Sequence, residues 1–283
     1  MGLSQTLSFI AHHPLSQGRR ARNLSRFFVW QAVNRVWPAP VAFTLANGVK
    51  LYASRGLHGA TGNLYVGLHE YETMAFCLHL LCAGDFFVDV GANVGSYTVL
   101  AAAGAGARVT AFEPGDAARG WLHRNIALNA ISTLVTVDAR ALADTTGMAQ
   151  FIASEDCRNR LASAGGATVD VTTLDDALGG DCPVLLKFDV EDGDAAFIRG
   201  ATRTLSNPAL LAVIGETWAR GSVPALAQCG LMPVAYDPLN RSLMPLDADE
   251  AHRRNGGVFV RDIEDARKCL GAARPFVVRG REV

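Results

Sequence analysis

Short unbroken apolar runs alternate along the chain with longer stretches in which apolar residues recur every three or four positions. The runs are Phe86-Phe87-Val88 with Val90, Val109 to Phe112, Leu134 to Val137, Val184 to Leu186 with Phe188, and Leu210 to Gly215. Runs of this length with no polar face are what parallel strands need when helices cover both sides of a sheet. Between them, His69 to Ala83 carries Met74, Cys77, Leu78 and Leu81 on one helical stripe and stops at Gly84. An alanine-rich helix is expected from Ser96, and another, capped by Asp116, through Asn129. Strand and helix in alternation predict an α/β, Rossmann-like domain around a central, mostly parallel sheet.

The flanks read differently. Ser4 to Trp37 looks helical and amphipathic, with Arg19, Arg20, Arg22 and Arg26 beside Phe27, Phe28, Trp30 and Trp37. Such a helix can dock on the main domain, pair with a second copy, or lie on an anionic membrane surface. Asn47-Gly48 between Val41–Leu45 and Val49–Ala53 is a hairpin signal. The glycine-rich stretch from Arg55 to Leu68 reads as a lid-like loop, with His58 as a candidate base. Later come an added strand at Met148 to Ile152, an irregular loop at Ala153 to Gly166 and a strand at Thr168 to Val171. Closing strands follow at Leu231 to Tyr236, Arg241 to Leu246 and Gly257 to Val260, with a helix at Ile263 to Leu270. The division expected is an N-terminal helix, hairpin and lid over residues 1–68, then a ligand-binding domain over 69–283.

The chemistry starts in the turn after the first strand, D-V-G-A-N-V-G from Asp89 to Gly95. A dinucleotide fold places a pyrophosphate here on G-x-G-x-x-G. The second glycine of that pattern is replaced, and the anionic Asp89 closes the strand. S-adenosylmethionine (SAM) has no phosphate and carries an ammonium and a sulfonium, which a carboxylate suits. Glu113 ends the second strand and can accept both ribose hydroxyls, which fits either cofactor. The segment from Asp138 to Asp144, with Ala141 at its centre, is the expected adenine edge.

Lys187, Asp189 and Glu191 fall at i, i+2 and i+4 around the end of another central strand, so alternation aims them to one side. Glu216 closes the neighbouring strand. Ionisable groups at the carboxyl edge of such a sheet lie where ligands bind. They can serve as bases, as hydroxyl-orienting groups or, for Asp189 with Glu216, as Mg²⁺ ligands. No metal site is assigned.

Composition narrows the class without naming it. Across 283 residues, 49% are hydrophobic, 19% are charged and the net charge is −1, which argues against a basic nucleic-acid-binding surface. No apolar run reaches the roughly 18–20 residues that span a bilayer, and Met1 to His13 does not read as a secretory leader. Six cysteines without C-x-x-C spacing suit reduced thiols in a cytoplasmic protein.

With these residues in view, the chain resembles the FkbM-type SAM-dependent methyltransferases over roughly His69 to Glu216. The carrying motifs are F-V-D-V-G-A-N-V-G-S-Y-T from Phe87, A-F-E-P from Ala111, A-L-A-D-T-T-G from Ala141, T-L-D from Thr173, K-F-D-V-E from Lys187 and I-G-E from Ile214. The resemblance implies a class I methyltransferase fold, SAM as cofactor, and O-methylation of a sugar or natural-product hydroxyl. It assigns Asp89, Gly91, Ala92, Asn93, Gly95 and Glu113 to SAM, and Asp189, Glu191 and Glu216 to the acceptor edge. The family usually has Gly directly after the D-V-E glutamate and Glu two positions later; here Asp192 and Asp194 stand there, with Gly193 between. Two other readings of the same residues are an NAD-type oxidoreductase and a non-catalytic scaffold with this fold.

Overall fold

The computed structural model describes residues 2–37, 39–152, 160–162, 165–190, 193–216, 221–254 and 256–283. The N-terminal stretch folds as two helices, α1 (Leu3–His12) and α2 (Arg20–Val36), separated by a 3₁₀ turn at Pro14–Ser16. Proline has no amide hydrogen to continue a helix, and Gly18 takes a positive φ of 72°, so one continuous helix is ruled out. The hairpin forms as expected, with β1 (Val41–Thr44) antiparallel to β2 (Lys50–Ala53). The glycine-rich segment is corrected: it is a helix, α3 (His58–Val66), followed by α4 (Tyr71–Leu80). Leu57, Ala60, Tyr65 and Val66 are buried, and that packing outweighs the low helix propensity of Gly59 and Gly62.

The central sheet begins with β3 (Phe86–Val90), then α5 (Ser96–Val99) running on as a wider π-helical turn to Ala105, and β4 (Arg108–Phe112). Next come α6 (Asp116–Leu128) and β5 (Val135–Asp138). Asp116 is the first helical residue rather than the cap, which is Gly115; its carboxylate pairs with Arg119 instead. A side sheet follows, of β6 (Ala141–Leu142), β7 (Gly147–Ile152), β8 (Arg160–Ala162) and β9 (Ala167–Thr172). Its strand β8 lies within the segment read as a loop, whose other residues up to 164 fall outside the described ones. The chain returns through β10 (Leu185–Phe188), β11 (Ala212–Glu216), β12 (Met232–Asp237), β13 (Ser242–Pro245) and β14 (Gly256–Val260). A small terminal hairpin, β15 (Val277–Val278) with β16 (Arg281–Glu282), was not foreseen.

The eight strands run in the order β13-β12-β14-β11-β10-β3-β4-β5. The five from β11 to β5 are parallel, and the three on the other side are antiparallel. Strand alternation sorts side chains into two cores. Phe87, Val109, Ala111 and Leu185 pack with α4 and the hairpin; Val88, Val90, Phe112, Leu186 and Phe188 pack on the opposite face with Phe197. Each buried Val, Leu or Phe among them contributes about 1.5–3 kcal/mol. Strand order reverses between β3 and β10, which opens a crevice at their carboxyl ends, the place where open α/β sheets take ligands. No helix among the described residues is long and apolar enough to cross a membrane.

Candidate active site

The crevice is built by register. Lys187 of β10 lies directly beside Asp89 of β3, each two residues beyond an apolar residue on the same face. The Lys187 ammonium sits 3.7 Å from Asp89 Oδ1 and 3.6 Å from Asp189 Oδ2, and donates to the Gly91 carbonyl at 3.2 Å. The expectation that Lys187 and Asp189 share one side holds; Glu191 lies outside the described residues. Asp189 itself follows the end of β10, with its side chain 37% exposed.

Asp89 departs from its expected pose. Rather than facing a ligand, its carboxylate is wholly buried beneath the turn. Its Oδ2 accepts from the Thr98 hydroxyl at 2.6 Å, and its Oδ1 has no hydrogen-bond partner. Burial pushes its pKa up, against the pull of Lys187 and Thr98. The carboxylates that line the crevice are Asp189 and Glu70.

The turn is folded against β4. The Gly91 and Ala92 amides both donate to the Phe112 carbonyl at 3.0 Å, and Gly95 donates to the Ala92 carbonyl at 2.8 Å. Asn93, at a positive φ of 52°, donates to Glu113 Oε2 at 2.7 Å, while Glu113 Oε1 accepts from Gly115 at 2.8 Å. Burial pushes the Glu113 pKa up, opposed by these amides. A pyrophosphate is held by free amides at a turn of this kind. Here they are spent on internal bonds, so the turn offers little to a phosphate. Gly91 is dictated by space as well as by its φ of 70°, since a Cβ there would meet the Asp189 carbonyl oxygen at 2.1 Å. Gly95 admits close packing by Leu122 rather than by a ligand.

Two cavities meet at Lys187. One, of about 180 Å³, is lined by the turn, Asn63, His69, Glu70, Tyr97 and Asp189. The other, of about 350 Å³, opens beyond β10, β11 and β14, lined by Glu70, Thr73, Gly215, Tyr236 and Arg254 among others. Glu70 and Lys187 are common to both. The Tyr97 hydroxyl donates to Glu70 Oε2 at 2.6 Å and lies 2.6 Å from the Thr73 hydroxyl; burial holds the Tyr97 pKa well above the ordinary phenol value.

The remaining expected residues are placed unevenly. Ala92 and Asn93 line the first cavity. Ala141 is buried in the side sheet among Ala143 and Val171, away from both cavities. Glu216 ends β11 opposite Gly256, at the carboxyl edge where it was expected. His58 starts α3. Among the described residues no group of three or more His, Cys, Asp or Glu is arranged to hold a metal. Sequence reasoning missed Glu70 and His69, which precede α4 and carry no motif; the only available signal was an acid at the start of a helix aimed toward the crevice.

A mostly parallel sheet, a ligand turn without a phosphate cradle and an acid closing the next strand define the class I methyltransferase fold. Residues 89–220, just under half of the chain, match the Methyltransferase FkbM domain. Among solved structures it is similar to methyltransferase FkbM from Methylobacillus flagellatus KT, at 15% identity and a TM-score of 0.43, covering 85% of this chain and 60% of that one. It is also similar to the SAM-dependent methyltransferase from Agrobacterium tumefaciens, at 12% identity and a TM-score of 0.43, covering 67% and 57%. The precorrin-6y C5,15-methyltransferase from Geobacter metallireducens GS-15 matches at 15% identity and a TM-score of 0.39, covering 66% and 85%. The chain thus spans less than two thirds of the first two proteins. No curated protein matches it.

SAM, the methyl donor of this class, fits the residues present. Asp189 and Glu70 line the smaller cavity beside one Lys187 ammonium, and Asp89 lies buried behind it, so carboxylates outnumber ammonium groups there. A cationic ligand relieves that imbalance; a pyrophosphate worsens it.

Proposed function

We propose that this protein is a SAM-dependent O-methyltransferase whose acceptor is a hydroxyl, most simply a sugar hydroxyl of a glycan, lipopolysaccharide or natural product. The observation that carries this reading is the pair of cavities sharing Glu70 and Lys187. The cavity at the glycine turn suits the donor. The larger one, lined by Glu70, Thr73, Tyr236 and Arg254, suits a polyhydroxylated acceptor.

SAM supplies a methyl group on a sulfonium that is already a good leaving group. The chain's task is then alignment, which contributes about 7–11 kcal/mol at best, and removal of the hydroxyl proton. Glu113 is the group for the ribose, and Gly91, Ala92, Asn93 and Gly95 shape the turn around the donor. Asp189, exposed beside Lys187, is the proposed proton acceptor. Glu70 is a second candidate, favoured because it borders both cavities and is held by Tyr97. Glu191 and Glu216 are assigned to orienting neighbouring hydroxyls. Peripheral membrane contact or pairing of two copies through α2 is proposed from Phe28, Val29, Val36 and Trp37, which are exposed on that helix and the residue after it.

The test is transfer of labelled methyl from SAM into extracts of a strain lacking the gene, then hydrolysis and sugar analysis. Label in a methyl ether of a sugar supports the reading. Label confined to protein, nucleic acid or carboxyl esters removes it.

A further inference from the structure

Residues 1–69 contain six arginines, one lysine and not one Asp or Glu, although the whole chain has a net charge of −1. The arginines are not spread evenly over a solvated face. Arg19, Arg22 and Arg26 project from the start of α2, at i, i+3 and i+7, toward Arg279 and Arg281 of the terminal hairpin. All five line one narrow cleft that encloses only about 10 Å³, so an anion would seat at its mouth, among the guanidinium groups, rather than inside it. No carboxylate lines it, and Glu282, the nearest along the chain, is not among its walls.

The bonds these side chains make are all to neutral groups. Arg19 donates to the carbonyls of Arg279 and Gly280 at 2.6 and 3.1 Å, and Arg26 donates to Asn23 Oδ1 at 2.9 Å. Arg279 donates to the carbonyls of Asn63 and Leu64 at 3.0 and 2.6 Å, and Arg281 to that of Pro14 at 3.4 Å. The Nε of Arg279 is buried without a hydrogen-bond partner. None of the five appears in an ion pair among the described residues. Burial and the neighbouring Arg26 and Arg22 pull the Arg279 pKa down to about 10. Guanidinium groups stay charged at neutral pH, so their crowding is a standing repulsion that an anion would remove.

We propose that the cleft of Arg19, Arg22, Arg26, Arg279 and Arg281 is a binding site for a phosphoryl group. A carboxylate has two oxygens and one charge, which cannot satisfy so many forked donors. A phosphoryl group brings three strong acceptor oxygens and close to two charges. Two sources offer that chemistry. Arg281 also borders a cavity of about 290 Å³ that contains Tyr236 and Arg254, both walls of the proposed acceptor cavity. A soluble phosphoryl compound can reach the cleft that way. Alternatively, Val29 and Val36 follow Arg22 at heptad spacing on α2 and are exposed, which would set the cleft at the level of lipid headgroups. The site does not depend on the methyl-transfer reading, and its test uses no turnover.

Thermal unfolding of the full chain is followed in sodium pyrophosphate and in sodium chloride at equal ionic strength. Flotation is measured with phosphatidylglycerol and with phosphatidylcholine vesicles. The expected result is a Tm rise of about 5 °C in pyrophosphate at a hundred times its Kd, or flotation with the anionic vesicles alone. The first identifies a soluble ligand and the second a headgroup. Arg22→Gln, at a side chain with no hydrogen bond of its own among the described residues, and Arg22→Gln with Arg26→Gln should abolish the response without lowering the Tm in chloride. Arg35→Gln, on the same helix but outside the cleft, should retain it. No response to either probe, or equal loss in Arg35→Gln, overturns the proposal.

Discussion

Lys187 Nζ lies 3.7 Å from Asp89 Oδ1, a nearly buried ammonium beside a wholly buried carboxylate on adjacent parallel strands. The pair is a product of register: each residue is the last inward-facing position of its strand before the crevice opens. Lys187 also ties down the Gly91 carbonyl, so the charge pair and the ligand turn form one unit. What the carboxylate contributes is the placement of Lys187 and of the turn, whereas Asp189 and Glu70 are the carboxylates that line the cavity.

That coupling is testable by a double-mutant cycle. Lys187→Met leaves the Asp89 charge buried with one hydroxyl, and should destabilise the fold by about 3–5 kcal/mol. Adding Asp89→Asn should recover most of that loss, because the uncompensated charge is gone. Urea titrations of the four proteins decide it; additive losses would mean that the two groups do not act as a pair.

Gly91 and Gly84 separate backbone strain from lack of space. Both have positive φ, but a Cβ at Gly84 meets nothing within 4 Å, whereas at Gly91 it meets the Asp189 oxygen at 2.1 Å. Gly84→Ala should cost about 1–2 kcal/mol for its φ alone. Gly91→Ala should cost more and also weaken SAM binding, since β3 and β10 must part. Equal stability losses and unchanged affinity would contradict the close approach.

Two histidines should set the acid limb of stability. His13 and His79 are buried and held neutral, each accepting at Nδ1 and donating at Nε2 to a carbonyl. Desolvation lowers both to about 4. The unfolded chain therefore binds more protons below the ordinary value of 6.5. Stability is fully present above that pH and is lost as the pH falls through about 4, by on the order of 3 kcal/mol per histidine. His79→Gln should flatten the decline of Tm between pH 6.5 and 4.5; an unchanged slope would show that His79 is not held neutral.

Glu70→Gln and Asp189→Asn distinguish the two proposed proton acceptors. The one that takes the hydroxyl proton should lose 10²- to 10⁴-fold in kcat, with SAM affinity changed far less. The other should act mainly on KM. If both variants keep near-normal kcat, neither carboxylate is the base.

The parallel core was legible because strands covered on both faces leave a strong trace: the runs at Phe86, Val109 and Val184 each became a central strand. The hairpin at Asn47-Gly48 was equally plain. The helix at His58–Val66 was not, because Gly56, Gly59, Gly62 and Gly67 signal a loop until Leu57, Ala60 and Tyr65 find a core to bury against. The turn at Asp89 to Gly95 follows the first strand and lines the smaller cavity, yet the depth of Asp89 was hidden, since charge alone does not say which side of a turn a carboxylate takes. Glu70 was hidden for a different reason. It reaches the crevice only through the packing of α4 on the sheet, about 120 residues in sequence from Lys187.

Isothermal titration of the full chain with SAM and, separately, with NADH tests the central claim most directly, with Glu113→Ala measured alongside. SAM should bind with one site per chain, Glu113→Ala should weaken it at least tenfold, and NADH should give no heat, because the amides a pyrophosphate needs are already bonded. Binding of NADH with no heat from SAM would contradict the account.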